Sequence, residues 1–167
     1  MTTRLAIALA ATLGLAMPAY SQAATPATQA AQAANPFFAE SPLPLHYPQF
    51  DKIKDSDFAP AFDAGMAEQL KEMDAIANNP AAPTFENTII AMEKSGQVLD
   101  RATTVFFNLV GTDTNDARNK LRADYSAKFA AHGDAISLNP KLFARIKALY
   151  DQRNELGLDA EGVRLIE

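Results

Sequence analysis

Cysteine is absent from this 167-residue chain, and histidine is nearly so, with two residues. The first absence excludes disulfides, thiolate nucleophiles, thiolate metal ligands and a lipid-modified cysteine anchor. The second leaves little for a metal. A catalytic zinc takes about three protein ligands, two of them commonly close together on a helix face. His46 and His132 are far apart in the chain, and no His-Glu-x-x-His occurs. No Cys-x-x-Cys-His haem attachment, glycine-rich phosphate loop or serine or cysteine nucleophile motif is present either. A positive excess is also missing. Fifteen basic residues stand against twenty acidic ones, a net charge of −5, which disfavours nucleic acid and anionic membrane surfaces as partners. No run alternates at period two, and no Asn-Gly or Asp-Gly hairpin signal appears. These gaps point to an all-α chain without chemistry of its own.

What is present begins with an apolar stretch over residues 5–17, preceded by Arg4 as the sole early charge. Small residues at Ala19 and Ser21, or at Ser21 and Ala23, offer cleavage positions, so residues 1–22 read as a secretory signal peptide. The apolar run falls short of the roughly 20 residues that a membrane-spanning helix needs. Residues 23–34 hold seven alanines among twelve positions and no charge, and read as a disordered linker. The expected location is periplasmic or secreted, with no membrane attachment after cleavage.

Residues 35–167 suffice for one modest core and contain all ten phenylalanines. Four prolines within residues 35–50 forbid a helix and predict an extended strap, with Phe37, Phe38, Leu43, Leu45 and Tyr47 as its contacts to the body. From Ser56 the period becomes helical. Phe58, Phe62, Met66, Leu70, Met73 and Ala77 form one apolar stripe, capped by Ser56 or Asp57, with Pro60 in the first turn and Asn78-Asn79-Pro80 closing it. Thr84 caps a second helix through Phe85, Ile89, Met92, Leu99, Phe106 and Leu109, to about Gly111. Ser95-Gly96 inside that run marks either a close helix crossing or a kink. Asn115 or Thr114 caps a third helix through Leu121, Tyr125, Phe129 and Ile136, with Asp116–Lys120 and Asp124–Lys128 as supporting pairs. Asn139-Pro140 opens a fourth through Leu142, Phe143, Ile146, Leu149 and Tyr150, ending near Gly157. Asp159 caps a fifth, whose stripe of Val163 and Ile166 is expected to continue beyond Glu167.

The polar residues with a conceivable chemical role have simpler readings. His46 in the strap and His132 on the third helix each lack the convergent partners of a metal ligand. Asp51, Asp55, Asp57 and Asp63 lack the alternation and glycine of a calcium loop and read as solvated or capping carboxylates. Glu86 and Glu93 resemble a carboxylate pair, but Glu86 suits the dipole of a helix's first turn. Met66, Met73 and Met92 read as core filler. No catalytic, cofactor-binding or metal residue is assigned within this chain.

Eight blocks carry a likeness in order and in register. They are Asn35-Pro36-Phe37; Pro60-Ala61-Phe62 with Gly65-Met66; Pro83-Thr84-Phe85-Glu86-Asn87-Thr88-Ile89; and Glu93 with Ser95-Gly96. The others are Thr114-Asn115-Asp116; Ala131-His132 with Asp134; Leu138-Asn139-Pro140 with Leu142-Phe143; and Leu156-Gly157-Leu158-Asp159 with Arg164-Leu165. Residues 35–167 thereby resemble the amino-terminal region of the thimet-oligopeptidase-like zinc metallopeptidases, most closely the bacterial peptidyl-dipeptidases. The resemblance implies antiparallel helical hairpins forming the amino-terminal wall of a channel in a larger helical peptidase. It also implies an exported enzyme releasing carboxy-terminal dipeptides from short peptides, with one zinc held by a His-Glu-x-x-His helix and a downstream glutamate. Those residues belong to the family's carboxy-terminal catalytic region and match no position here. The alternative is a stand-alone periplasmic helical module that binds peptides or a partner without catalysis.

Overall fold

The computed structural model describes residues 35–167, so the signal and linker expectations for residues 1–22 and 23–34 lie outside it. Among the described residues every regular element is helical and no strand occurs, as the all-α reading requires. The longest helix, α1, spans Asp55–Ala77. A π-helical segment, Phe85–Ile90, runs directly into the α-turn Ala91–Glu93, and together they form α2. Then come α3 (Gln97–Thr112), α4 (Asp116–Ser137), α5 (Pro140–Asp151) and α6 (Ala160–Ile166). None of these is long and apolar enough to cross a membrane.

α1 is the spine. It packs on α2, α3, α4, α5 and the short 3-10 turn Pro36–Phe38. Its start is set by Asp57, whose carboxylate reaches back to accept the Lys54 amide at 2.8 Å. The helix therefore begins at Asp55, one residue before the predicted caps, and Pro60 lies in its second turn rather than its first. There the proline leaves the Ser56 carbonyl without a helical donor. Two neighbouring carbonyls take outside partners: Asp57 accepts the Asn35 side-chain amide at 2.8 Å, and Ala59 accepts the Tyr125 hydroxyl at 3.1 Å. The predicted stripe is buried at Phe58, Phe62, Met66, Met73 and Ala77. Leu70 departs from it and stays exposed, because Gln69 takes the inward direction in that turn and bonds to His132.

The core is aromatic at its centre. Phe62, fully buried, meets Phe106 of α3 at 5.2 Å between ring centroids, and Tyr125 and Phe129 of α4 at 5.2 and 5.1 Å. Phe58 joins Phe106 at 5.1 Å and Phe37 at 5.2 Å, which fastens the strap to the same cluster. Such pairs add about 0.5–1.5 kcal/mol each beyond area burial. Two smaller clusters continue the core, one of Met73, Ile76, Ala77 and Leu142, the other of Ile89, Leu149 and Ile166. Phe143 and Tyr150 of the predicted α5 stripe remain exposed, because Arg145 occupies the inward position between Leu142 and Leu149.

The Ser95-Gly96 ambiguity resolves in favour of both alternatives. The expected single helix is broken between α2 and α3, with Gly96 at φ +71°, and a side chain there would collide with the Gln69 amide of α1. Asn115, Asn139 and Asp159 cap α4, α5 and α6 as the sequence predicts. Thr84 caps α2 in a reciprocal box with Asn87. The expected acid-before-base pairs of α4 do not form. Lys120 bonds Asp124 instead at 2.7 Å, and Lys128 reaches across to Asp63 of α1 at 2.9 Å.

Gly65 fixes the α1–α3 crossing. A Cβ on it would lie 2.7 Å from the Leu99 amide nitrogen and 2.8 Å from its Cα, both backbone atoms that cannot swing aside. Alanine ordinarily stabilises a helix interior by about 1 kcal/mol over glycine, but overpacking here costs more. Gly65→Ala is expected to destabilise the chain by about 1–3 kcal/mol. Gly133 of α4 faces open space, and Gly133→Ala is expected to stabilise by about 0.5–1 kcal/mol. Urea denaturation of both variants reads the two opposite signs.

Candidate functional site

Two concave features among the described residues lie beside α3. The first is a cleft of about 380 Å³ between the strap and α3. Its floor is Phe37, Ile53 and Val105, its walls include Pro36, Pro42 and Pro48, and Glu40, His46, Asp100 and Arg101 bring charge or polarity. Arg101 builds it: Nε and Nη2 both donate to the Phe37 carbonyl, at 3.2 and 3.0 Å, and hold the strap on α3. Asn35 supports the same turn by accepting the Phe37 amide at 3.0 Å.

The second is a polar depression at the α2–α3 break, lined by Gln69, Ser95, Gly96, Asp100 and Thr103 among others. Glu72 of α1 accepts the Gly96 amide at 2.7 Å, which anchors the left-handed residue. His132 Nε2 lies 2.7 Å from Gln69 Oε1, while its Nδ1 is buried without a partner. With Nε2 donating to Gln69, Nδ1 is the bare nitrogen of a neutral ring. A second proton would have no acceptor there.

The other residues singled out by sequence do not converge. His46 sits in the strap, 3.6 Å from Glu40, far along the chain from His132 and on a different element. Asp55 is held by the Asn115 amide at 2.9 Å and by Arg118 at 2.7 Å, and the Asn115 bond leads in drawing its pKa below the usual value. Asp57 caps α1, Asp63 pairs with Lys128, and Asp51 is exposed. Glu86 pairs with Lys94 at 3.3 Å, and Glu93 is exposed. Met66 and Met73 are buried, and Met92 packs against the cluster that contains Met73. Among the described residues no group of three or more histidine, aspartate or glutamate side chains forms a metal-binding set. These residues do not fit a zinc ion. The hydroxyls of Ser41 and Ser95 donate to the carbonyls of Tyr47 and Met92, at 2.6 and 2.7 Å, and neither is paired with a base. The arrangement can bind and support.

Over 133 residues, 80% of its length, the chain is 47% identical to a dipeptidyl carboxypeptidase of Salmonella typhimurium. It is 46% identical over the same extent to a dipeptidyl carboxypeptidase of Escherichia coli. This chain is a relative of dipeptidyl carboxypeptidase. It spans about a fifth of the length of these curated relatives. No protein-family model matches it.

Sequence reasoning missed the buried Arg145, which is 7% exposed. Its guanidinium donates to the carbonyls of Asn79 and Ala81, both at 3.0 Å, and to Asn87 Oδ1 and Thr88 Oγ1 at 2.8 and 3.2 Å. It thus ties the α1–α2 connection and the π-helical segment to α5. A signal existed, since Arg145 lies in phase with Leu142 and Leu149. An arginine in an apolar stripe asks for buried acceptors.

Burial lowers the pKa of His132 below its ordinary 6.5. As pH falls, the unfolded chain therefore takes up this proton first, and stability is lost from about pH 6.5 downward. Unfolding by denaturant at about pH 7.5 and 5.5 checks this. The native chain is expected to lose more stability across the interval than His132→Gln does.

Proposed function

We propose that this chain is the amino-terminal, channel-wall part of an exported peptidase that releases dipeptides from the carboxyl ends of short peptides. Its own contribution is to shape and support the space a peptide enters. The zinc and the reacting groups are supplied by polypeptide outside this fifth of the enzyme, and residues 1–22 direct export. The observation that carries the reading is the 46–47% identity to dipeptidyl carboxypeptidases over 133 residues. The scattered placement of His46, His132 and the carboxylates supports a non-catalytic role, because each already has a local structural duty or faces solvent. The clefts beside α3 agree with a surface that meets peptide.

The test uses the chain as it stands, dialysed against zinc and then given an amino-blocked tetrapeptide. The expected result is no stoichiometric zinc and no released dipeptide. Zinc bound one to one, together with dipeptide release, would contradict the assignment of the chemistry to other polypeptide.

A further inference from the structure

The strap departs from its sequence reading in one direction only. Phe37 is buried and Phe38 half-buried, but the other predicted contacts face outward: Leu43 is 41%, Leu45 97% and Tyr47 63% exposed, and Phe50 beside them is 40% exposed. The extended conformation expected there is replaced by a second 3-10 turn, Pro44–His46, with Leu45 and His46 at φ +57° and +55°. Two successive non-glycine residues in the left-handed region are disfavoured, the more so when the first is a leucine. Among the described residues only polar contacts offset this, among them His46 Nδ1 at 3.1 Å from the Ser41 carbonyl oxygen, since the Leu45 side chain itself is almost fully exposed.

The turn is nevertheless firmly closed. Ser41 Oγ donates to the Tyr47 carbonyl at 2.6 Å and accepts the Leu43 amide at 3.3 Å. The His46 amide donates to the Leu43 carbonyl at 2.9 Å, and the Tyr47 amide to the Pro44 carbonyl at 3.2 Å. Tyr47 and Phe50 rings meet edge-on at 5.8 Å. Residues 41–50 contain no acidic residue, lysine or arginine, in a chain where 21% of residues are charged. A preformed, uncharged projection of four large apolar side chains has the composition of an interface centre, where charge is depleted and aromatic residues are enriched.

We propose that this projection is a docking knob for the polypeptide that makes up the remaining four-fifths of the peptidase, with Leu45 seated in an apolar hollow of that polypeptide. The proposal rests on the reading of the chain as one part of such an enzyme, whose relatives are about five times the length of the matched stretch. The knob stands on Phe37 and the Arg101 clamp, so docking there ties the larger part of the enzyme directly to the aromatic core. Burial at the interface recovers what the left-handed backbone costs.

The experiment is a full-length chimaera in which residues 35–167 replace the matched stretch of a dipeptidyl carboxypeptidase. Hydroxyl-radical labelling of Leu45 and Tyr47 is compared between the chimaera and this chain alone. The expected result is an active chimaera in which labelling of both residues falls about tenfold, with labelling of Phe143, as exposed as Tyr47, as an internal reference. Leu45→Asn, which suits the left-handed backbone, leaves the melting midpoint of the isolated chain unchanged or higher. In the chimaera the same variant lowers the midpoint. An active chimaera with Leu45 and Tyr47 labelled as in the isolated chain overturns the docking knob and leaves the peptidase reading standing. A chimaera that folds and binds zinc yet releases no dipeptide overturns the peptidase reading, and the docking proposal with it.

Discussion

The close passage of α3 over α1 at Gly65 governs the rest of this structure. Because the Leu99 backbone lies within van der Waals distance of where a Cβ would stand, the two helices meet almost backbone to backbone. That approach brings Phe106 down between Phe58 and Phe62, so the aromatic cluster is a consequence of the crossing as much as a cause of it. It also dictates the chain's path just before α3. The break between α2 and α3 falls on Gly96, which takes φ +71° against the Gln69 side chain.

Arginines then attach the less regular segments to that frame. Arg101 clamps the strap through the Phe37 carbonyl, Arg118 draws the start of α4 to Asp55 at the start of α1, and Arg145 gathers the α1–α2 connection. In a chain without disulfides these charged donors do work that cross-links perform elsewhere. Each joins positions roughly sixty residues apart in sequence, and each bond to a charged donor contributes about 1.5–3 kcal/mol. For the buried Arg145 the polar cost is met in part, since Nη1 and Nη2 find four acceptors while Nε has no partner among the described residues.

Much of this was legible in the sequence, and what was not had a physical cause. The apolar period located α1, α3, α4 and α5, and short polar residues marked caps at Thr84, Asn115, Asn139 and Asp159, since both signals are local. The break at Gly96 was visible as a glycine, but its conformation depends on Gln69, a long-range neighbour. Leu70, Phe143 and Tyr150 fit their stripes and still face solvent, because polar residues with buried partners hold the inward positions. The strap was misjudged for the opposite reason. Prolines excluded an α-helix but open two 3-10 turns, and nothing local announces that Leu45 and His46 adopt left-handed backbone and turn apolar side chains outward. For the candidate site, sequence assigned no reacting residue, and the histidines and carboxylates it weighed lie on separate elements, each with its own local partner or facing solvent. The binding features it does possess arise from Arg101 and Gly96, whose partners are distant in the chain.

The proposed function, which rests on the identity to dipeptidyl carboxypeptidases, accords with that division. A scaffold whose polar residues are spent on caps, clamps and helix joints is suited to shaping space and carrying a partner surface. Its central claim is mechanical: α1 and α3 form one unit, and everything else is fastened to it. Native-state hydrogen exchange on the described region tests this most directly. The account predicts that amides of α1 and α3 around Gly65 and Leu99 exchange last and open together, with the strap and α6 opening earlier at lower cost. Independent opening of α1 and α3, or strap amides as slow as theirs, would contradict it.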